Sequence, residues 1–222
     1  MKFRELDWGR HGYGLVLLLV VASTAFQLSV SGTDAARFVV IVVQAVTLVA
    51  AVRTTGTHHT GVRAAALVAA LIVVTSFLHW IIGGDIPVAP TAVVNGLLVA
   101  VAPAVLASGL VRDLRATGEV AIHSLAGVLA IYLLLGMFFA FAYGLIDAID
   151  PEALFAEANH STSSERLYFS FVTLSTVGYG DLAPASDGSR ALAVAEMLIG
   201  QIYLVTVVAL IVANLGPRRR AG

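Results

Sequence analysis

The sequence predicts an all-α membrane protein of six transmembrane helices and one short re-entrant helix. Two observations carry that prediction. Of 222 residues, 59% are hydrophobic and 12% charged, and the mean hydropathy is +0.91. Soluble domains run about 45–50% apolar and about 25% charged. The apolar residues also gather into six runs long enough, or nearly so, to cross a hydrocarbon core about 30 Å thick. No polar block could house a separate soluble domain, which argues against a soluble enzyme. The chain has no Cys, so thiolate metal sites, disulfides and Cys nucleophiles are excluded.

In chain order the runs cover residues 13–31, 35–53, 63–82, 91–111, 120–146 and 189–215. Lipid offers no partner to backbone N–H and C=O groups, so each run is expected to be an α-helix. The first follows Lys2, Arg4 and Arg10, as the apolar core of a signal peptide does. Its length and the lack of a clear cleavage site favour a retained helix. Arg37 interrupts the second run early, so that helix either starts later or lets the side chain snorkel. Pro103 is expected to kink the fourth.

Loop charges orient the helices. An even number of spans puts both termini on one side, and ten of the 13 Lys and Arg fall on that side. Arg37, Arg166 and Arg190 are the exceptions. The positive-inside rule therefore makes both termini cytoplasmic.

Between the fifth and sixth runs lies a polar stretch and then a short apolar one, Leu167 to Leu174. Eight residues cannot cross a membrane, but they suit a helix that enters and leaves on one side. Thr162-Ser163-Ser164-Glu165 in front of it fits a capping box. Behind it runs Thr173-Leu-Ser-Thr176-Val177-Gly178-Tyr179-Gly180-Asp181.

The segment Thr176–Asp181 resembles the selectivity filter of potassium channels. In that family, backbone carbonyls replace the water around a dehydrated potassium ion. Glycine accepts the unusual dihedrals that keep successive carbonyls on one side, as Gly178 and Gly180 would. The resemblance implies potassium sites at Thr176, Val177, Gly178 and Tyr179, with Gly180 completing the filter. Asp181, Tyr168 and Thr173 would support it from behind. One filter segment cannot surround an ion, so a homotetramer is implied.

Residues 120–215 are similar to the whole two-helix pore module of that family: outer helix, pore helix, filter and inner helix. Gly200 lies 19 positions after Asp181, where the family often places a hinge glycine; helix packing by a small residue is the alternative. Tyr168 and Phe169 stand where many members have two tryptophans. Tyr168 could bond Asp181 through its hydroxyl, and Phe169 could not. The first four helices resemble the sensor of six-helix channels in topology alone. Moving one charge through 100 mV yields about 2.3 kcal/mol, so a sensor needs several Arg or Lys in its fourth helix. Residues 91–111 contain none. The expected division is a four-helix peripheral domain, 1–115, lacking steep voltage sensing, and a pore domain, 116–222.

Other polar residues are less specific. Glu196, within the sixth run, is either a group behind the filter that influences gating or a partner of a pore-helix hydroxyl. Asn214 either lines an inner gate or makes an interhelical hydrogen bond. Asp147, Asp150, Glu152, Glu157 and Glu165 crowd the outer loop, where they either concentrate cations or form a solvated turret. Asn159-His160-Ser161 matches a glycosylation sequon, a weak pattern. His58-His59 lacks the further ligands of a metal site. His79-Trp80 reads as an interfacial anchor, and His123 is a candidate sensor of internal pH. Arg218-Arg219-Arg220 is either a lipid-binding cluster or a topology anchor.

The expected function is passive potassium conduction, with no cofactor beyond the permeant ion, no chemical step and no nucleic acid. Expected partners are three further copies of the chain and membrane lipids. The expected location is a plasma membrane, with the Ala- and Val-rich composition suggesting a bacterial one. A non-selective cation channel, a transporter-type uptake subunit and a non-conducting regulatory subunit are the rivals. An intact Val177–Asp181 weighs against the first, and a single filter per chain against the second. What opens the pore is not legible.

Overall fold

The computed structural model describes residues 8–30, 34–55, 59–82, 100–112, 122–150, 154–156 and 161–209. Among these residues the architecture is all-helical, with one isolated antiparallel bridge between Phe155 and Pro184. The helices are α1 (Trp8–Ser29), α2 (Asp34–Thr54), α3 (His59–Ile82), α4 (Ala100–Arg112), α5 (Ile122–Ile149), α6 (Ser163–Leu174) and α7 (Asp187–Ile202). At its end α7 widens into a π-helical turn over Tyr203–Val208.

Three of these are long and apolar enough to cross a membrane: Gly12–Ser29 in α1, Ser124–Ile149 in α5 and Asp187–Val208 in α7 with its π turn. Phe38–Thr54 and Ala100–Arg112 are shorter apolar helices. The run expected at 91–111 is described as helix from Ala100 onward.

The core lies where α1, α2, α4 and α5 meet. Tyr13, Val16 and Val20 of α1 pack with Leu48 and Ala51 of α2, Leu106 of α4, and Ile131, Leu134 and Met137 of α5. Burial of such side chains is worth about 25 cal/mol per Å² of apolar area removed from water; inside a bilayer, close packing takes over that role. Arg112, at the end of α4, donates to the Thr55 carbonyl at the end of α2 (3.1 Å). The core is continuous with the elements around α6, since Leu167 belongs to it and Ser164 Oγ donates to the Leu28 carbonyl (3.2 Å).

α6 is short, and its ends explain why. Thr162 is the N-cap: its hydroxyl accepts from Glu165 N–H (3.1 Å), and Glu165 accepts from Thr162 N–H (2.7 Å). This is the capping box read from the sequence. At the other end Thr176 takes a left-handed φ of 59° and stops the helix. Two glycines let α6 sit tightly between its neighbours. A Cβ on Gly136 of α5 would stand 2.6 Å from the Phe171 ring, and one on Gly200 of α7 would stand 2.3 Å from the Leu174 carbonyl oxygen.

Candidate selectivity filter

The segment after α6 is hung from the helix's own last turn. Thr176 N–H donates to the Thr173 carbonyl (2.9 Å), and Val177 N–H donates to the Val172 carbonyl (3.0 Å). From there the backbone alternates in hand. Thr176, Gly178 and Gly180 have φ of 59°, 57° and 80°, while Val177 and Tyr179 keep negative φ. Gly178 and Gly180 take the left-handed region without a Cβ penalty. Thr176 is β-branched and strained there, a feature that persists only where the surroundings impose it. Val177 and Tyr179 are 53% and 70% exposed on the single chain, unusual for a valine and an aromatic ring next to a packed core.

The far end of the segment is braced by Tyr168 of α6. Its hydroxyl donates to Asp181 Oδ2 (2.8 Å), and its ring lies parallel to that of Tyr179, with centroids 6.4 Å apart. Asp181, by accepting that bond, raises the Tyr168 hydroxyl above its ordinary pKa. Phe169 instead enters an aromatic cluster, edge-on to Tyr143 and to Phe155 at 5.1 Å each. The bridge pins Leu154–Ala156 against the chain that follows Asp181: Ala156 N–H donates to the Ala183 carbonyl and Ala185 N–H to that of Leu154, both at 3.0 Å.

Behind this segment lies a polar node. Glu196 of α7 is fully buried. Tyr143 Oη donates to its Oε2 (2.7 Å), and Ser170 Oγ of α6 is in hydrogen-bond contact with its Oε1. Ser170 Oγ also lies 2.6 Å from the Gly136 carbonyl. Tyr143 and Ser170 were not singled out from the sequence, because a tyrosine and a serine in apolar helices carry no signal of what they face. Gly200 lies one turn beyond Glu196 on the same buried face of α7.

The acidic stretch between α5 and α6 is partly spoken for. Asp147 pairs with Arg166 (3.1 Å), which also donates to the Ser161 carbonyl (2.6 Å), and Glu165 serves the capping box. Asp150 is exposed. Glu152, Glu157, Asn159, His160, His58, Asn214 and Arg218–Arg220 lie outside the described residues, as do the side chains of Arg37, His59, His79, Trp80 and His123. Among the described residues no cluster of His, Asp and Glu could hold a metal ion.

Comparison with known proteins matches this region. A family model described as "Ion channel" covers residues 127–216. Protein LctB of Bacillus caldotenax is 34% identical over 101 residues, which is 42% of this chain and 74% of that protein. Two-pore potassium channel 1 of Arabidopsis thaliana is 47% identical over 49 residues, 21% of this chain and 14% of the relative. Human potassium channel subfamily K member 16 is 34% identical over 89 residues, 37% of this chain and 26% of the relative. No solved structure matches. The match to most of the LctB protein, together with the family model over α5, α6, the filter segment and α7, means that the chain belongs to the ion channel family.

Proposed function

We propose that the protein is a potassium-selective channel in which four copies of the chain surround one conduction axis. The observation that carries this reading is the alternation of backbone hand over Thr176–Gly180. Alternating left- and right-handed residues turn successive carbonyls to one side, and four such strands make stacked cages of oxygen for a dehydrated cation. Potassium sites form at Thr176, Val177, Gly178 and Tyr179, with Gly180 above them. Potassium is the permeant ion, moves by knock-on, and is not a cofactor. Two of the relatives carry potassium channel in their names.

A single chain supplies one filter strand, and the exposed Val177 and Tyr179 support a fourfold assembly that covers them. So does α7, where Val194, Leu198, Ile199, Ile202 and Val205 are exposed. Asp181, Tyr168 and Thr173 hold the filter. Gly200 and the π turn three residues later give the inner helix a place to bend, since π turns interrupt the regular hydrogen-bond ladder. Six spans with both termini cytoplasmic, a plasma-membrane location and contact with lipid complete the reading.

The test is the bi-ionic reversal potential of the purified protein in a planar bilayer, potassium on one side and sodium on the other. The expected reversal is near the potassium limit. It is lost in Gly178→Ala, where a Cβ is forced to a φ of 57°. A wild-type reversal near zero overturns potassium selectivity and makes the protein a non-selective cation channel.

A further inference from the structure

Ser170 Oγ faces two oxygens at once: the Gly136 carbonyl and Glu196 Oε1. Each close oxygen–oxygen contact needs a proton between the pair. A serine hydroxyl carries one, a carbonyl none and an ionised carboxylate none. Two contacts need two protons, and the carboxyl is the remaining source. Tyr143 fills Oε2 with its own hydroxyl proton, which leaves Oε1 as the protonated oxygen. The bonds then run in one direction: Tyr143 to Glu196, Glu196 to Ser170, Ser170 to the Gly136 carbonyl.

We infer that Glu196 is held as a neutral carboxylic acid and positions the pore helix by donating to Ser170. The inference rests on the channel reading above for its functional half. Its surroundings agree with the proton count. Glu196 is fully buried, and no other acidic or basic side chain is buried among the described residues. Among the described residues, Tyr143 and Tyr132 of α5 are the titratable side chains that interact with it. On α6, Arg166 is engaged by Asp147 and Ser161; on α7, Arg190 sits in the first turn beside Asp187. Among the described residues no cation contacts Glu196. A buried carboxylate without a counter-charge is costly, whereas a neutral acid needs one donor and one acceptor, and both are present.

The consequence is mechanical. Ser170 lies one turn before Leu174, and the filter strand hangs from the Val172 and Thr173 carbonyls of that turn. A bond from α7 to Ser170 and on to α5 therefore sets the height and rotation of the helix that carries the filter.

Two measurements test this. Infrared spectroscopy of the full chain in lipid at neutral pH should show the carbonyl stretch of a protonated carboxylic acid, absent in Glu196→Gln. A spectrum without that band overturns the neutral acid. In the potassium–sodium reversal assay, Glu196→Gln should match wild type, because an amide also donates to Ser170 and accepts from Tyr143. Glu196→Ala should lose roughly tenfold in potassium preference, the scale expected when a buried polar group loses its partner. Lost selectivity in Glu196→Gln overturns the inference, and so does unchanged selectivity in Glu196→Ala. If Glu196→Ala does not assemble, Ser170→Ala is read in the same assay, and wild-type selectivity there overturns the positioning role. A wild type that does not select potassium ends the channel reading, while the infrared band still decides the protonation of Glu196.

Discussion

A methyl group at position 200 would stand 2.3 Å from the Leu174 carbonyl oxygen and 2.9 Å from Leu174 Cδ1. The first contact is with backbone at the end of α6, which cannot swing aside as a side chain can. Gly200→Ala is therefore expected to push α7 away from α6, at a cost of about 1–3 kcal/mol for overpacking. A lowered thermal unfolding temperature in detergent would register it. A glycine serving purely as a hinge would tolerate alanine in the folded state and change gating alone, so unchanged stability would separate the two roles. Thr176 makes the complementary point. Its motif was plain in the sequence, but its left-handed φ was not, because composition says nothing of strain in a β-branched residue.

At the scale of elements, α6 is held by a cap, two glycine contacts and the Ser170 node rather than by length. A twelve-residue helix is marginal in isolation. Its capping box is thus worth testing directly. Thr162→Ala removes the acceptor for Glu165 N–H, and the expected loss is about 1 kcal/mol. Chemical denaturation of the purified protein should show it, with selectivity retained because the filter hangs from the opposite end. A loss of selectivity instead would mean that the start of α6 also sets the filter. The cap was legible because its spacing is local. The bridge between Phe155 and Pro184 was not, because it joins two irregular segments on either side of α6 in the chain, with no periodicity in either.

At the scale of the molecule, no gap in packing separates α1, α2 and α4 from α5 among the described residues. Tyr13 and Val16 of α1 share a core with Ile131 and Leu134 of α5, so these helices are joined by direct packing. Across 100–112 of α4 the basic residue is Arg112, at the end of the helix and bonded to the Thr55 carbonyl. A charge placed there moves little through the membrane field, which delivers about 2.3 kcal/mol per charge per 100 mV. Open probability is accordingly expected to change weakly with voltage. Single-channel recordings across both polarities check this, and a steep dependence worth several charges per assembly would contradict it.

The helical class, the apolar helices Gly12–Ser29, Ser124–Ile149 and Asp187–Val208 and the cap of α6 were readable along the chain, because each rests on local pattern or on a run of adjacent residues. The folded arrangement was needed for everything that joins distant positions. It brings Tyr143, Ser170 and Glu196 into one hydrogen-bonded line, presses Gly200 against Leu174, and seats Phe169 among aromatic rings while Tyr168 reaches Asp181. The physical reason is that an apolar helix presents many near-equivalent faces to the sequence reader. Packing alone selects which face is buried and which polar group it must satisfy.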